Sequence, residues 1–416
     1  MRILHTADWH LGHSFHDQPR DDEHRAFLDW LLATLIEHGV DALIVAGDVF
    51  DHANPSAQAE ALFYGFLARL ARQLPQLGVV IVAGNHDSAA RLAAPHPLLA
   101  GLGIHVVGAV GNPLAEADIE RLLVPLCGRD GEIGAWCAAV PFLRPMDLPR
   151  IEADDAIDPL IEGVRRVYAQ VLDAARARCQ PGQALVATGH CYMVGGALSE
   201  LSERRVLGGN QHALPADLFP TDLTYVALGH LHRAQRVGGR EQVRYSGSPI
   251  PLAFSEVDYP HQVVLVELPG EPGAQAKIEA LRVPRHVELL RVGHDGRLAL
   301  AEVGAALDAL ALDDTLPESR WPYLEITVRL DAPEPSLHRL LGERLAGRPV
   351  RLLSIRTRYP GKGEALADDT ALPELGELQP ETVFARRYRS QFDAEPPEPL
   401  HAAFDELLAS LAEGER

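Results

Sequence analysis

The chain has 416 residues, a length that usually divides into two or three domains because one hydrophobic core rarely serves so many residues. Its composition, 47% hydrophobic and 23% charged, is that of an ordinary globular protein and excludes a disordered chain. The formal net charge of -20 excludes a protein that grips nucleic acid through a generally basic surface, so any such contact must be local or shared with a partner.

The sequence also argues against a membrane protein and against a fold held together by disulfides. No apolar run approaches the roughly 18 residues of a membrane helix, and a strand pattern begins almost at Met1, which leaves no room for a signal peptide. We therefore expect a cytoplasmic protein without membrane contact. The cysteines lack CxxC spacing, which predicts neither a disulfide framework nor a zinc finger. They are Cys127, Cys137, Cys179 and Cys191.

The first region alternates short apolar runs with helical patterns, as α/β folds do. Runs of four to six apolar residues bounded by glycine predict fully buried strands. Between them, helices are predicted from Ala26 to a stop at Gly39, from Ala57 to Leu74, and roughly from Asp158 to Arg178. Further strands are predicted at 243–246 and 262–268, before a Pro/Gly-rich hinge at 269–275.

The pattern changes from about Arg285. Three strand-like and two helical stretches then predict a small α+β unit, followed by a loop rich in proline, glycine and acidic residues and by two helical segments. We expect four parts: a catalytic domain (1–275), a capping domain (276–360), a linker (361–379) and a helical tail (380–416).

Two helix faces could serve as contact surfaces. The stripe from Leu62 to Leu70 is interpreted as core packing, with a self-complementary dimer surface as the alternative. The last helix follows the spacer DAEPPEP and is expected to dock in a groove of a partner, the alternative being that it folds back on its own chain. Its apolar face consists of Leu400, Phe404, Leu407, Leu408 and Leu411.

Five of the apolar runs end in side chains that can bind a metal. The runs are ILHTAD, ALIVAGD, VVIVAGNHD, ALVATGH and TYVALGH, and the candidate ligands are Asp8, His10, Asp48, Asn85, His190, His230 and His232. Loops that leave the carboxyl ends of strands in α/β sheets converge on one crevice. The sequence therefore predicts a single site for two metal ions.

This ligand set suits hydrolysis of a phosphate ester. Asp48 is the natural bridge; Asp8, His10 and His232 would complete one metal, and Asn85, His190 and His230 the other. Mixed carboxylate, amide and imidazole ligands favour Mn, Fe or Zn, and two such ions stabilise in-line displacement at phosphorus.

Four further side chains are candidates beside the ligands. We expect His86 to protonate the leaving oxygen or to bind a phosphoryl oxygen, and Asp51 to orient the His86 ring. His16 and His52, on loops that leave ligand-bearing strands, could meet DNA.

The five motifs DxH, GDxxD, GNHD, GH and GHxH, in this order, resemble the calcineurin-like metallophosphoesterase superfamily. ADWHLGH, GDVFDHANPS, GNHDS, YSGSP and AFSE resemble, more narrowly, the SbcD family of bacterial nuclease subunits. This resemblance implies a metallophosphoesterase sandwich of two mixed β-sheets flanked by helices, with a small capping domain and a helical tail.

The same resemblance implies an activity and partners. The activity is manganese-dependent cleavage of DNA, endonucleolytic on single strands or hairpins and exonucleolytic on duplex ends, in DNA repair and recombination. The implied assembly is a homodimer, joined through the C-terminal helices to an SbcC-like coiled-coil ATPase in a heterotetramer.

Two other functions stay open at this point. One is another hydrolase of the superfamily, although the Arg-Gly pair that follows GDxxD in phosphoprotein phosphatases is replaced here by His52 and Ala53. The other is a noncatalytic scaffold, which would have no reason to retain seven ligands and His86.

Overall fold

The structure, a computed structural model, describes residues 1–151, 158–194, 213–269 and 275–359 and individual residues of the tail. The latter are Phe384, Arg387, Tyr388, Arg389, Phe392, Ala394, Pro397, Leu400 and Phe404. The chain divides into two compact units, Met1–Val287 and Glu288–Arg416. Among the described helices, none combines the length and apolar character needed to cross a membrane.

Strands and helices alternate through most of the described chain. The strands are β1 (Arg2–Thr6), β2 (Ser14–Phe15), β3 (Gln18–Pro19), β4 (Ala42–Ala46), β5 (Gly78–Val82), β6 (Ile104–Val107), β7 (Leu123–Cys127), β8 (Ile133–Ala138), β9 (Ala184–His190), β10 (Tyr225–Gly229), β11 (Gln235–Val237), β12 (Arg240–Tyr245), β13 (Gln262–Glu267), β14 (Lys277–Arg282), β15 (Leu289–Val292), β16 (Tyr323–Arg329) and β17 (Arg351–Arg358). The α-helices are α1 (Asp21–Glu37), α2 (Ala57–Gln73), α3 (Ala89–Ala93), α4 (His96–Leu99), α5 (Glu116–Leu122), α6 (Pro159–Arg178), α7 (Leu300–Asp308) and α8 (Leu337–Leu345).

The first unit contains two mixed sheets. In the first, the order is β14-β13-β1-β4-β5-β6; β1, β4, β5 and β6 are parallel, and β13 and β14 are antiparallel additions. In the second, the order is β11-β12-β10-β9-β8-β7, with a parallel centre and antiparallel edge strands β7 and β11. The carboxyl ends of the central strands of each sheet therefore share one edge of that sheet.

Alternation along the strands of the first sheet decides which layer each side chain joins. Ile3 and Ile44 pack into the core shared with the second sheet, whereas Leu4 and Leu43 face the core beneath α1 and α2. The buried His5 also faces the second sheet, with Nδ1 2.9 Å from the Tyr225 hydroxyl and Nε2 3.1 Å from the Leu228 carbonyl. Polar contacts thus join β1 to β10 inside the apolar sandwich.

Helix ends follow local capping rules. The Ser56 side chain accepts a hydrogen bond from Ala59 N and begins α2, and Asp158 accepts from Leu160 N before α6, whose first residue is Pro159. The left-handed Gly39 follows α1, at the stop predicted from the sequence.

The stripe on α2 belongs to the protein's own core. Phe63, Phe66, Leu67 and Leu70 are each at most 2% exposed, and the rings of Phe63 and Phe66 contact Trp9. Core packing, the preferred interpretation, accounts for these residues. These four side chains face the interior and offer no surface to a second copy, whereas Leu62, at the start of the stripe, is half-buried.

The second unit has the predicted order of strands and helices, with α7 between β15 and β16 and α8 between β16 and β17. The strands β15, β16 and β17, which form the sheet of the described part of this unit, are parallel. A core that includes Val303, Leu324 and Leu341 lies between helices and sheet. Among the described tail residues, Phe392 contacts Tyr359, the residue after β17, with 5.0 Å between the ring centroids.

The predicted boundary between 275 and 276 lies before β14, which pairs with β13 and therefore belongs to the first unit. β14 is a mostly exposed strand at the sheet's edge, and its polar sequence lacks the apolar alternation by which strands are recognised. Most of the hinge at 269–275, the linker at 361–379 and most of the tail at 380–416 lie outside the described residues.

Candidate metal centre

The predicted ligands follow five strands whose carboxyl ends meet. Asp8 and His10 follow β1, Asp48 follows β4 and Asn85 follows β5 in the first sheet. The other three come from the second sheet: His190 ends β9, and His230 and His232 follow β10. Both sheets therefore contribute side chains to a single cluster.

Several of these side chains extend from unusual backbone conformations. Asp8, His10, Asp48 and His230 have φ values of 56°, 47°, 50° and 105°, in the region that residues with a side chain rarely adopt. Two hydrogen bonds of 3.0 Å hold the first two loops together, from Asp8 N to the Gly47 carbonyl and from His10 N to the Asp48 carbonyl. Strained residues that the surrounding structure holds in place are typical of functional sites.

Glycines beside the ligands allow the loops to approach one another. A Cβ atom at Gly47 would lie 2.1 Å from His190 Nδ1, and a Cβ atom at Gly84 would lie 2.1 Å from Asp48 Oδ1. Either contact is far shorter than van der Waals distance. The glycines of the GD and GN motifs are thus required by close packing of the ligand-bearing loops.

Carboxylates and imidazoles, all buried except the half-buried His86, form three overlapping groups, in each of which one ligand atom per residue lies within 4.8 Å of the others. The groups are Asp8, His10 and His232; Asp8, Asp48 and His190; and His10, Asp48 and His86. Asp48 occurs in two groups, as expected of a bridge, but so do Asp8 and His10. His86, which was not predicted as a ligand, has a ring nitrogen within 4.8 Å of ligand atoms of His10 and Asp48.

Asn85 brings the remaining histidines together. Its Oδ1 lies 2.9 Å from His190 Nε2 and 3.0 Å from His230 Nδ1. His230 N also donates to Asp8 Oδ1 at 2.9 Å, which links the second sheet to the loop after β1. All seven side chains predicted as ligands are therefore in one place.

One buried nitrogen in the cluster is placed to act as a metal ligand. His10 Nε2 is buried, has no hydrogen-bond partner among the described residues, and lies 3.7 Å from Asp48 Oδ2. Burial lowers the pKa of His10, so its ring is neutral at pH 7 and Nε2 can offer a lone pair. A divalent cation held between these carboxylates and imidazoles would satisfy this atom, so the residues present fit a metal centre.

Protons balance the carboxylate charge within the metal-free cluster. Burial lowers the pKa of His190, but the charge of Asp48 and its hydrogen bond outweigh burial and raise that pKa to about 9. Burial raises the pKa of Asp8 to about 7. Burial also raises the pKa of Asp48, but the charge of His190 and its hydrogen bond outweigh burial and hold the Asp48 pKa well below the ordinary value.

The partners of His86 and Asp51 differ from the sequence expectation. The Asp51 carboxylate lies 3.1 Å from His10 Nδ1 and 3.0 Å from His52 Nε2, whereas His86 Nδ1 lies 2.8 Å from the Asp51 main-chain carbonyl. Asp51 thus holds His86 through its backbone and directs its side chain to His10. His16 is exposed to solvent and has a positive φ of 47°. Its ring lies against that of Phe254.

Two buried carboxylates were missed at the sequence level. Asp87 accepts from the backbone N–H groups of Val49, Phe50 and Gly84, and so fixes the loop after β4 to the loop after β5. Glu256 accepts from His232 Nδ1 at 2.9 Å. The last letters of GNHD and AFSE were the only sequence signals for these residues.

Comparisons with known proteins agree with this architecture. Residues 1–234 match the family described as calcineurin-like phosphoesterase, and residues 285–392 match a family described as type 5 capsule protein repressor C-terminal domain. The D subunit of nuclease SbcCD from Rhodobacter capsulatus is 42% identical, covering 93% of this chain and 94% of that protein. The chain belongs to the family of SbcCD nuclease D subunits.

Two further D subunits of SbcCD nucleases are similar over most of their length. The protein from Escherichia coli K12 is 36% identical, with 99% of each chain covered, and that from Bacillus subtilis 168 is 33% identical, with 82% of each covered. Family membership makes the chain a metal-dependent phosphodiesterase and excludes the scaffold alternative. The predicted metallophosphoesterase sandwich is likewise confirmed.

Proposed function

We propose that the chain is a manganese-dependent DNA nuclease that processes DNA ends together with a coiled-coil ATPase. Its activities are endonucleolytic on single strands or hairpins and exonucleolytic on duplex ends. One observation carries the proposal: seven side chains from five strand ends converge on a buried cluster, in which His10 Nε2 lacks a hydrogen-bond partner among the described residues. The relatives, which are named as nuclease components, support nucleic acid as the substrate class.

The proposed centre would hold two divalent cations, and Asp48 would be a ligand of both. Asp8, His10 and His232 complete one position, and Asn85, His190 and His230 the other; the distances from Asn85 to both histidines support the second set. When bound, the two cations lower the pKa of a water molecule and neutralise charge on the phosphate. Carboxylate, amide and imidazole donors without a thiolate are compatible with Mn²⁺.

His86 is proposed as the group that protonates the leaving oxygen. The Asp51 carbonyl can only accept, so His86 Nδ1 carries a hydrogen and Nε2 is the atom free to hold and transfer a second proton. His86 N also donates to Asp48 Oδ1 at 2.8 Å, which fixes the residue beside the proposed bridge. Asp51 positions His10 and, through its backbone, His86.

Assembly and location follow from the family resemblance. We propose a homodimer that binds two copies of an SbcC-like ATPase through the C-terminal helices, in the cytoplasm. Light scattering at micromolar concentration should give twice the mass of the chain. The net charge of -20 supports a partner that supplies part of the DNA grip, because the chain as a whole repels a phosphate backbone.

The nuclease proposal is tested by comparing two substrates. Metal-stripped protein is loaded with Mn²⁺ and offered a labelled DNA hairpin or p-nitrophenyl phosphate. Hairpin cleavage should require Mn²⁺ and should fall sharply in His86→Ala. A matched control is His105→Ala, which alters a half-buried histidine on β6 whose ring faces His96. Turnover of p-nitrophenyl phosphate without hairpin cleavage would instead favour another hydrolase of the superfamily.

A further inference from the structure

A carboxylate lies behind one of the proposed metal ligands and has no role in the function proposed above. Glu256, on the short 3₁₀ turn Phe254–Glu256, is fully buried, and its Oε1 is 2.9 Å from His232 Nδ1. Its Oε2 accepts from Leu252 N at 2.7 Å. A charged side chain is costly to bury without such partners, so this carboxylate is held for the interactions that it makes.

The segment that carries Glu256 is itself fixed. The buried Arg20 pairs with Glu23 and donates to the Pro251 carbonyl, one residue before Leu252. The next turn is tied in as well, because His261 is within 3.0 Å of both the Glu256 and Ser248 carbonyls. The Glu256 carboxylate is therefore fixed relative to the loop after β10, which carries His232.

The imidazoles of the two proposed metal positions have different second partners. His10 Nδ1 and His232 Nδ1 each face a carboxylate, of Asp51 and Glu256 respectively. His190 Nδ1 faces the main-chain carbonyl of Ala46, at 2.8 Å. A carboxylate that accepts the Nδ1 hydrogen fixes the tautomer with a bare Nε2, and its negative charge makes that nitrogen a stronger donor to a cation.

We propose that Glu256 is a positioning residue for His232 and makes the metal position formed by Asp8, His10 and His232 the tighter of the two. The inference rests on the proposed two-metal centre. It adds that the two positions differ in affinity, and that this difference depends on a residue of a separate segment. Its contribution is predicted to pass through His232, because Glu256 Oε1 contacts Nδ1 of that ring.

Calorimetric titration of Mn²⁺ into the metal-stripped full-length protein tests the inference. A glutamine at 256 keeps the shape but has only one acceptor oxygen, so either His232 Nδ1–H or Leu252 N–H loses its partner. In Glu256→Gln the tighter of two binding events should weaken about 10- to 100-fold, the usual cost of removing a carboxylate behind a ligating histidine. The weaker event should stay within about twofold of its original affinity.

Glu325→Gln is the matched control. Glu325 is also buried and pairs with arginines, Arg291 and Arg356, but it lies in the second unit. Its substitution should leave both binding events unchanged. An unchanged tighter event in Glu256→Gln would overturn the inference, whereas wild-type protein that binds fewer than two Mn²⁺ would contradict the proposed centre instead.

A measurement on the unaltered protein decides the matter if the Glu256 variant does not fold. Histidine-selective ¹⁵N NMR of the metal-free chain should find His232 as the Nδ1–H tautomer, with Nε2 bare. The opposite tautomer would exclude a hydrogen bond donated to Glu256 and would overturn the inference. A double variant adds a check: once His232→Ala is present, Glu256→Gln should remove no further Mn²⁺ affinity.

Discussion

Four residues of the cluster, Asp8, His10, Asp48 and His230, have positive φ values, and such conformations cost about 1 to 3 kcal/mol each. Neighbouring contacts must offset this cost. Asp87 supplies three of them, by accepting from backbone N–H groups of both adjacent loops. Burial raises the pKa of Asp87 to about 6, so it is largely ionised at pH 7 and remains a strong acceptor.

Metal binding and proton transfer can be separated by two substitutions. Asp48→Ala should lose or scramble both metal ions, because the proposed bridge contacts each of them. His86→Ala should keep both ions while activity falls about 10²- to 10⁴-fold, the usual scale for a general acid. Metal content by mass spectrometry decides between these roles. An empty His86 variant would identify His86 as a ligand, which its place beside His10 and Asp48 makes a specific alternative.

Metal affinity should rise with pH. In the metal-free protein the pKa of His190 is raised to about 9 and that of Asp8 to about 7, so both hold a proton at pH 6. A cation must displace those protons, and fewer remain as the pH increases. We expect Mn²⁺ affinity to rise from pH 6 to pH 8 by up to about tenfold per pH unit for each proton released. Calorimetry in buffers of different ionisation enthalpy counts the protons, and no release at pH 7 would contradict this charge arrangement.

At the scale of elements, two glycines test whether the ligand loops need their close approach. Gly47 has φ 94° and no room for a Cβ, so Gly47→Ala should destabilise the first unit by at least about 1–2 kcal/mol and weaken metal binding. Gly65, inside α2, has no atom within 4 Å of its Cβ position among the described residues. Gly65→Ala should instead stabilise by roughly 0.5–1 kcal/mol. Urea unfolding in EDTA compares the two; equal effects would refute the packing argument.

Local sequence pattern predicted the five ligand-bearing strands and the long helices α1, α2 and α6, because these depend on short-range periodicity, and the strand ends in turn predicted that the ligands converge. The run ALIVAGD, for example, predicts both that β4 is buried and that Asp48 lies just after the carboxyl end of that strand. Hydrogen-bond direction is different, because it depends on how separate loops meet. The Asp51 carboxylate could face His10 or His86, and no spacing distinguishes the two. Glu256 lies 24 residues from His232 in the chain, and no spacing predicts that the two side chains meet.

At the scale of the whole molecule, the tail is expected to decide partner binding. Truncation before Glu381 should leave Mn²⁺-dependent cleavage of simple single strands largely intact, because the proposed ligands all lie in the first unit. It should abolish co-purification with the ATPase and ATP-stimulated action on duplex ends. Unchanged partner affinity would refute docking by the tail. Loss of soluble protein would favour the fold-back alternative, which the contact of Phe392 with Tyr359 specifically supports.

Long-range arrangement was the least predictable part of the molecule. The sequence does not reveal that β13, near the end of the first unit, pairs beside β1 at its beginning. Nor does the apolar stripe of α2 distinguish an inward face from an outward one; only its packing against Trp9 does so. Such pairings depend on which distant segments fit together, and a single sequence carries little direct information about that.

The division of the cluster between two sheets has a consequence for the growing chain on the ribosome. Asp8, Asp48 and Asn85 emerge early, but His190, His230 and His232 belong to β9 and the loop after β10, and Glu256 follows later still. A nascent chain that ends before β9 therefore holds the carboxylates Asp8 and Asp48 but only His10 of the four proposed imidazole ligands. Such a chain cannot assemble the cluster, so we expect no metal-dependent hydrolysis from nascent chains or fragments that end before His232.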